Sequence, residues 1–246
     1  MEYEFVLDEE DYRAYKRREE IEIQVKNHAW GQAEKRIAAY EKQYGTGELH
    51  GQFLYFQRAL LERAKSCPDR NKSGELFLKA LTVTAPEYQK KLKGKEILSN
   101  LELRCISEII YCMEESTGQE NEYRKLYDYF VWSSEREGFF PSSYRTAMQY
   151  FGECLYKNGK CEECIQICDE ALQELTRTSK VENRAWIFLL RAKAREGSVK
   201  TEEQKRQCLK DYLTAYHILS FYEETEKSGA LRAFIGENYG WEFLAE

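Results

Sequence analysis

Only three prolines occur in 246 residues, Pro68, Pro86 and Pro141, and each falls at a break in the apolar pattern. Proline removes a helical N–H and clashes with the preceding turn, so its confinement to breaks leaves the stretches between free to be helical. In those stretches apolar residues follow helical spacing, and no convincing pair of alternating strands competes with it. The first helix is expected to begin at Asp8 to Asp11, where acids suit the positive end of a helix dipole, and to run to about Asn27. The second covers Trp30 to Tyr44 and is stopped by Gly45 and Gly47. The third runs from His50 to Ser66, closes at Cys67-Pro68-Asp69, and pairs with Asn71 to Thr84.

A basic loop is then expected around Lys90 to Gly94. Beyond it, Ile97, Leu101, Ile106, Ile109, Ile110 and Met113 mark a helix reaching about Glu115. Thr117-Gly118 separates it from a helix carrying Tyr123, Leu126, Tyr127, Phe130 and Val131. Past Gly138 and Pro141, Ser142–Asn158 pairs with Lys160–Thr178, and Val181–Glu196 with Thr201–Ser220. A last helix holds Leu231, Phe234 and Ile235 before Trp241, Phe243 and Leu244. Loops this short favour antiparallel neighbours. No linker is long or polar enough to demand two domains, so residues 1–246 are expected to form one.

Charge and composition exclude several classes of function. Hydrophobic residues make up 42% and charged residues 33%, which is a folding composition. The net charge is −6, and Lys and Arg are spread along the chain rather than gathered in one stripe. A nucleic-acid groove needs concentrated positive charge, so no direct DNA or RNA binding by this chain is expected. Neither a membrane span nor a secretory leader is expected from the pattern. A cytoplasmic location follows, with the 8 cysteines kept as thiols.

The window "RTAMQYFGECLYKNGKCEECIQICDEALQELTRT", Arg145 to Thr178, resembles a tetratricopeptide repeat and has that family's length of 34 residues. Phe151-Gly152 places a bulky residue before a small one, Leu155 follows as a large apolar contact, and Asn158-Gly159 makes the turn. Cys164 is the small residue at the helix crossing, Cys168 an apolar partner, and Ala171-Leu172 the closing pair. Small side chains let two backbones approach while large ones fill the grooves beside them. Weaker copies are Ser73, Phe77 and Ala80-Leu81; Trp186, Leu189 and Gly197 with Cys208, Tyr212 and Ala215; and Ala33, Ile37 and Tyr40. The resemblance implies an all-α right-handed superhelix of about five antiparallel hairpins. These span roughly 8–45, 48–86, 95–137, 142–178 and 181–220, with a terminal helix over 224–246.

A narrower resemblance rests on Lys79 to Met113, through Ala80-Leu81, Thr84-Ala85-Pro86 and Glu96-Ile97-Leu98, and on the opening "EYEFVLDEEDYRAYKRREEIE". These are similar to the C-terminal repeat domains of XRE-type helix-turn-helix transcriptional regulators of Gram-positive bacteria, the Rgg-like peptide sensors. The helix-turn-helix itself is absent, and the first twenty-two residues carry nine acids against four bases. Either a DNA-binding domain is missing from this chain or it is a free-standing relative. The resemblance implies a ligand-sensing and oligomerising domain whose concave face binds a signalling peptide or partner segment. A stand-alone adaptor for protein–protein contacts is the alternative.

Chemical motifs are sparse. Cys161-x-x-Cys164-x-x-x-Cys168, with Cys154 nearby, could in principle present thiolates on one helical face. Cys164 and Cys168 nevertheless sit at packing positions, and no second CxxC completes a knuckle. A metal or redox protein is therefore the remote alternative. His28, His50 and His217 form no HExxH, no GxSxG occurs, and the glycines match no phosphate loop. No enzyme activity and no cofactor are expected.

First helices of such hairpins line the inner wall, so their residues not needed for packing are the candidate peptide contacts. These are Tyr55, Arg58 and Glu62; Asn100 and Arg104; Gln149, Glu153 and Tyr156; and Arg184 and Arg191. Amide and guanidinium groups grip backbone and carboxylate, and tyrosine covers apolar side chains. The apolar terminal segment is expected either to cap the stack or to form a homodimer contact.

Overall fold

The computed structural model describes residues 9–114, 117–138, 140–177, 184–197, 201–222 and 224–244, and these are helical, with no strand among them. Asp8, Glu115, Thr178 and Val181, expected as helix ends, lie outside the described residues. The chain divides into two compact units, Met1–Glu114 and Glu115–Glu246.

In the first unit the helices are α1 (Glu9–Lys26), α2 (Trp30–Tyr44), α3 (Glu48–Arg63), α4 (Arg70–Thr84), α5 (Tyr88–Gly94) and α6 (Asn100–Cys112). Helix α1 packs on α2 and α3, α2 on α3, α3 on α4, and α4 on α6. Ala14 and Ile21 of α1 meet Ile37 and Tyr40 of α2 and Phe53 and Leu54 of α3 in one apolar cluster. Phe56 of α3 meets Phe77 of α4 edge to face, with ring centroids 5.5 Å apart.

Local chemistry sets the boundaries. Asp69 caps α4 by accepting from the Lys72 N–H at 3.0 Å. Ser99 and Glu102 form a capping box, which starts α6 at Asn100 and leaves Ile97 exposed in front of it. The expected basic loop at Lys90 to Gly94 is instead the helix α5. Lysine, glutamine and leucine are good helix formers. Lys95, at φ 54°, supplies the left-handed stop.

The second unit contains α7 (Thr117–Glu137), α8 (Ser143–Lys157), α9 (Cys161–Arg177), α10 (Arg184–Glu196), α11 (Glu202–Phe221), α12 (Thr225–Asn238) and a 3₁₀ turn over Trp241–Leu244. Helix α7 packs on α8 and α8 on α9, while α10 packs on both. Helix α11 then packs on α10, α12 on α11, and the 3₁₀ turn on α12. Gly159, at φ 74°, makes the α8–α9 turn at the expected Asn158-Gly159.

Gly152 sits where α8, α9 and α10 converge. A Cβ there would lie 2.8 Å from Leu190 Cδ2, with the sulfurs of Cys168 and Cys164 at 3.7 and 3.8 Å. The thiols fill space rather than face water, since Cys164 and Cys168 are both buried. At the far end, Leu231 and Ile235 of α12 join Ala185 and Ala192 of α10 and Tyr212, Ala215 and Leu219 of α11. Phe234 and Leu244 pack at the edge of that cluster, and the Trp241 ring lies over Gly236. The terminal segment thus covers the last apolar face of its own unit, while Trp241 (54%) and Phe243 (47%) keep about half their surface exposed.

Candidate functional site

In the second unit, α8, α10 and α12 each leave side chains uncovered. Gln149, Glu153 and Tyr156 follow helical spacing along one face of α8. The Gln149 amide donates to the Glu153 carboxylate at 3.0 Å, and Tyr156 is exposed. Helix α10 spends Ala185, Ile187, Leu190, Ala192 and Ala194 on burial. That leaves Trp186 and Lys193, seven residues apart, on its outward side. Trp186 is 37% exposed, and Lys227 of α12 holds its ammonium 5.1 Å from the indole, a cation–π contact that ties the outward side of α10 to α12.

Arg184 and Arg191 turn elsewhere. Arg184 donates to the Thr176 hydroxyl of α9 at 3.3 Å. Arg191 grips buried Asp211 of α11 with two bonds of 2.9 and 2.5 Å, and also pairs with Asp169 of α9. Arg195 adds a third bond to Asp211 at 2.8 Å. The guanidinium of Arg191 therefore locks α10 between α9 and α11. Asp211 and Asp169 hold its pKa above the ordinary value although burial pulls the other way. Trp186, expected as a packing residue, is partly exposed, whereas Ala185, Ala192 and Ala194 beside it are buried.

In the first unit, Tyr55, Arg58 and Glu62 share one face of α3. Tyr55 is half-buried and open to a ligand. Arg58 already holds Glu41 of α2 through bonds of 3.0 and 2.5 Å. Glu62 accepts from Lys65 at 2.7 Å and pairs with Lys72 at 3.1 Å; the Lys65 bond first, and Lys72 with it, lower its pKa. Asn100 and Arg104 lie one turn apart on α6. Arg104 crosses to α3, its guanidinium 4.9 Å from the Phe56 ring, and its buried Nε has no hydrogen-bond partner. Asn100 is exposed, and Tyr55 and Arg104 remain available, whereas Arg58 and Glu62 are engaged within the fold.

A second ion network lies at the α8–α9 turn. Buried Glu120 of α7 accepts from Lys160 at 2.7 Å, from Arg124 at 2.9 and 2.7 Å, and from Asn158 at 3.0 Å. These donors, Lys160 foremost, hold its carboxyl down to about 2 despite its burial. Its partners are all side chains of the same unit, so its role is to pin α7 to the turn.

The eight cysteines are free thiols. Burial pushes Cys105 up to about 12 and Cys112 up to about 11. Cys168 is raised by its hydrogen bond with Cys164 and by burial. A thiol held protonated is a poor nucleophile and a poor ligand. No group of three His, Cys, Asp or Glu among the described residues is placed to hold a metal ion. Nor is any helix among them long and apolar enough to cross a membrane.

The outward residues that sequence reasoning missed are Trp186, Lys193 and Lys227. Their signal was available in α10: alanines at 185, 192 and 194 mark the packed sides, and Trp186 and Lys193 fall between them. The chain matches no protein-family model and no curated protein.

Proposed function

We propose that this chain is a helical-hairpin repeat protein of the tetratricopeptide kind that holds an extended peptide or partner segment against the outward sides of its first helices. The observation that carries the reading is the packing around Gly152. One hairpin, α8 with α9, meets the first helix of the next, α10, at a residue with no side chain. Repeated nesting of that sort stacks hairpins with the same side of each first helix left open. In the second unit that side offers Gln149, Glu153 and Tyr156, then Trp186 and Lys193, then Lys227. Amides and carboxylates suit a peptide backbone, and aromatic faces suit its apolar side chains.

Within this reading the resemblance to peptide-sensing regulators supports a ligand-sensing domain of a bacterial transcriptional regulator. Arg191 serves stability, and Tyr156 with Trp186 serves binding. Peptide recovered by mass spectrometry from chain purified out of its own cells tests the assignment. Wild type should carry a peptide that Tyr156→Ala with Trp186→Ala loses while keeping its fold by circular dichroism. Equal peptide content in wild type and the folded double variant would remove these two residues from the site.

A further inference from the structure

The first unit contains a side-chain cluster that the binding reading does not use. His50 of α3 lies against Tyr40 and Tyr44 of α2 and Arg18 of α1. Its Nδ1 is 2.7 Å from the Tyr40 hydroxyl and 3.0 Å from Arg18 Nη2. Arg18 Nε also donates to the Tyr40 oxygen at 2.6 Å. Guanidinium has no acceptor, so Nδ1 must be the unprotonated nitrogen, taking hydrogen bonds from both Arg18 and Tyr40. The Tyr44 ring stacks on the imidazole at 5.4 Å and 15°, and the Arg18 guanidinium lies 5.3 Å from the Phe53 ring.

A proton on Nδ1 would remove the only acceptor Arg18 has among the described side chains of α3 and set two cations face to face. Helix α1 is poorly placed to absorb that loss. It buries only Ala14 and Ile21, and its exposed link to α2 is the Arg36–Glu20 pair. We propose that the Arg18–Tyr40–His50 cluster is a proton-sensitive latch: with neutral His50 it holds α1 onto α2 and α3, and protonation of His50 releases α1.

Among the described side chains, the charged and titratable groups facing His50 are Arg18, Glu10 and Asp11 from α1 and Tyr40 and Tyr44 from α2. Burial first and then Arg18 lower the imidazole pKa, against the opposite pull of Asp11 and Glu10. The folded group therefore binds its proton more weakly than a free histidine. The latch is fully formed above the free-histidine range and is lost as pH falls through it.

Amide hydrogen exchange of α1 in the full chain, corrected for intrinsic rates, tests this between pH 7.5 and 5.5, a window above that in which free carboxylates titrate. Opening of α1 should rise several-fold at the lower pH, with a ceiling of about tenfold for one proton of ordinary histidine affinity. In His50→Gln, whose amide oxygen can still accept from Arg18, the rise should vanish. His28 is present in both proteins, so the difference between them reports His50. Unchanged exchange in wild type, or an equal rise in both, overturns the proposal. Should the variant not fold, the wild-type imidazole resonance of His50 decides: a midpoint below about 6.5 supports the latch, and one at or above it overturns it.

Discussion

Gly152 is the residue on which the second unit turns. Leu190 fills the place a Cβ would take, so Gly152→Ala requires that one side-chain tip shift, whereas Gly152→Val also presses on the sulfurs behind it. Overpacking of a well-filled core costs about 1–3 kcal/mol, and Gly152→Val should show it as a lower urea midpoint at unchanged slope. Gly152→Ala should fall well short of that loss. Glu120 makes a different kind of prediction. Its folded carboxyl lies near 2, below its ordinary 4.5, so it contributes stability above 4.5 that is lost as pH falls toward 2. Acid titration of thermal stability should therefore be flatter in Glu120→Gln than in wild type over that interval. The substitution should cost about 1 kcal/mol at neutral pH, a value kept small because Lys160 and Arg124 are partly solvated.

Among the elements, α10 separates fold-keeping residues from binding ones. Asp211 is nearly inaccessible and balances Arg191 and Arg195. Removing one partner of a buried pair costs about 3–5 kcal/mol because it leaves the other charge uncompensated. Asp211→Ala should accordingly lower the melting temperature strongly, and Arg191→Ala should do the same without a separate effect on peptide affinity. Most helix boundaries were legible from the sequence because capping and stop residues speak locally. Asp69, Ser99 with Glu102, and Gly159 each act within four residues of themselves. Helix α5 was not, because Leu92 is its only aliphatic residue and a run of lysines reads as loop. The outward side of α10 was misjudged for a non-local reason: tryptophan fits a packing position by size, and only the folded chain shows Ala185, Ala192 and Ala194 buried with Trp186 partly exposed.

At the scale of the whole molecule, the all-helical class followed from where the prolines fall, and the described residues are helical as expected. The candidate site was legible only in part, since a sequence shows which residues share a helical face but not which face a neighbour covers. Tyr156 stays open, while Arg58 and Arg191 are taken up by Glu41 and Asp211. Photo-crosslinking tests most directly the claim that the open side of the first helices carries the partner. A benzoylphenylalanine would replace Tyr156 or Lys193 on that side, or exposed Gln166 or Lys210 on the second helices α9 and α11, in cells making the chain. Crosslinks to one and the same peptide are expected from positions 156 and 193 and none from 166 or 210. Crosslinks to that peptide from 166 and 210, with none from 156 and 193, would contradict the claim.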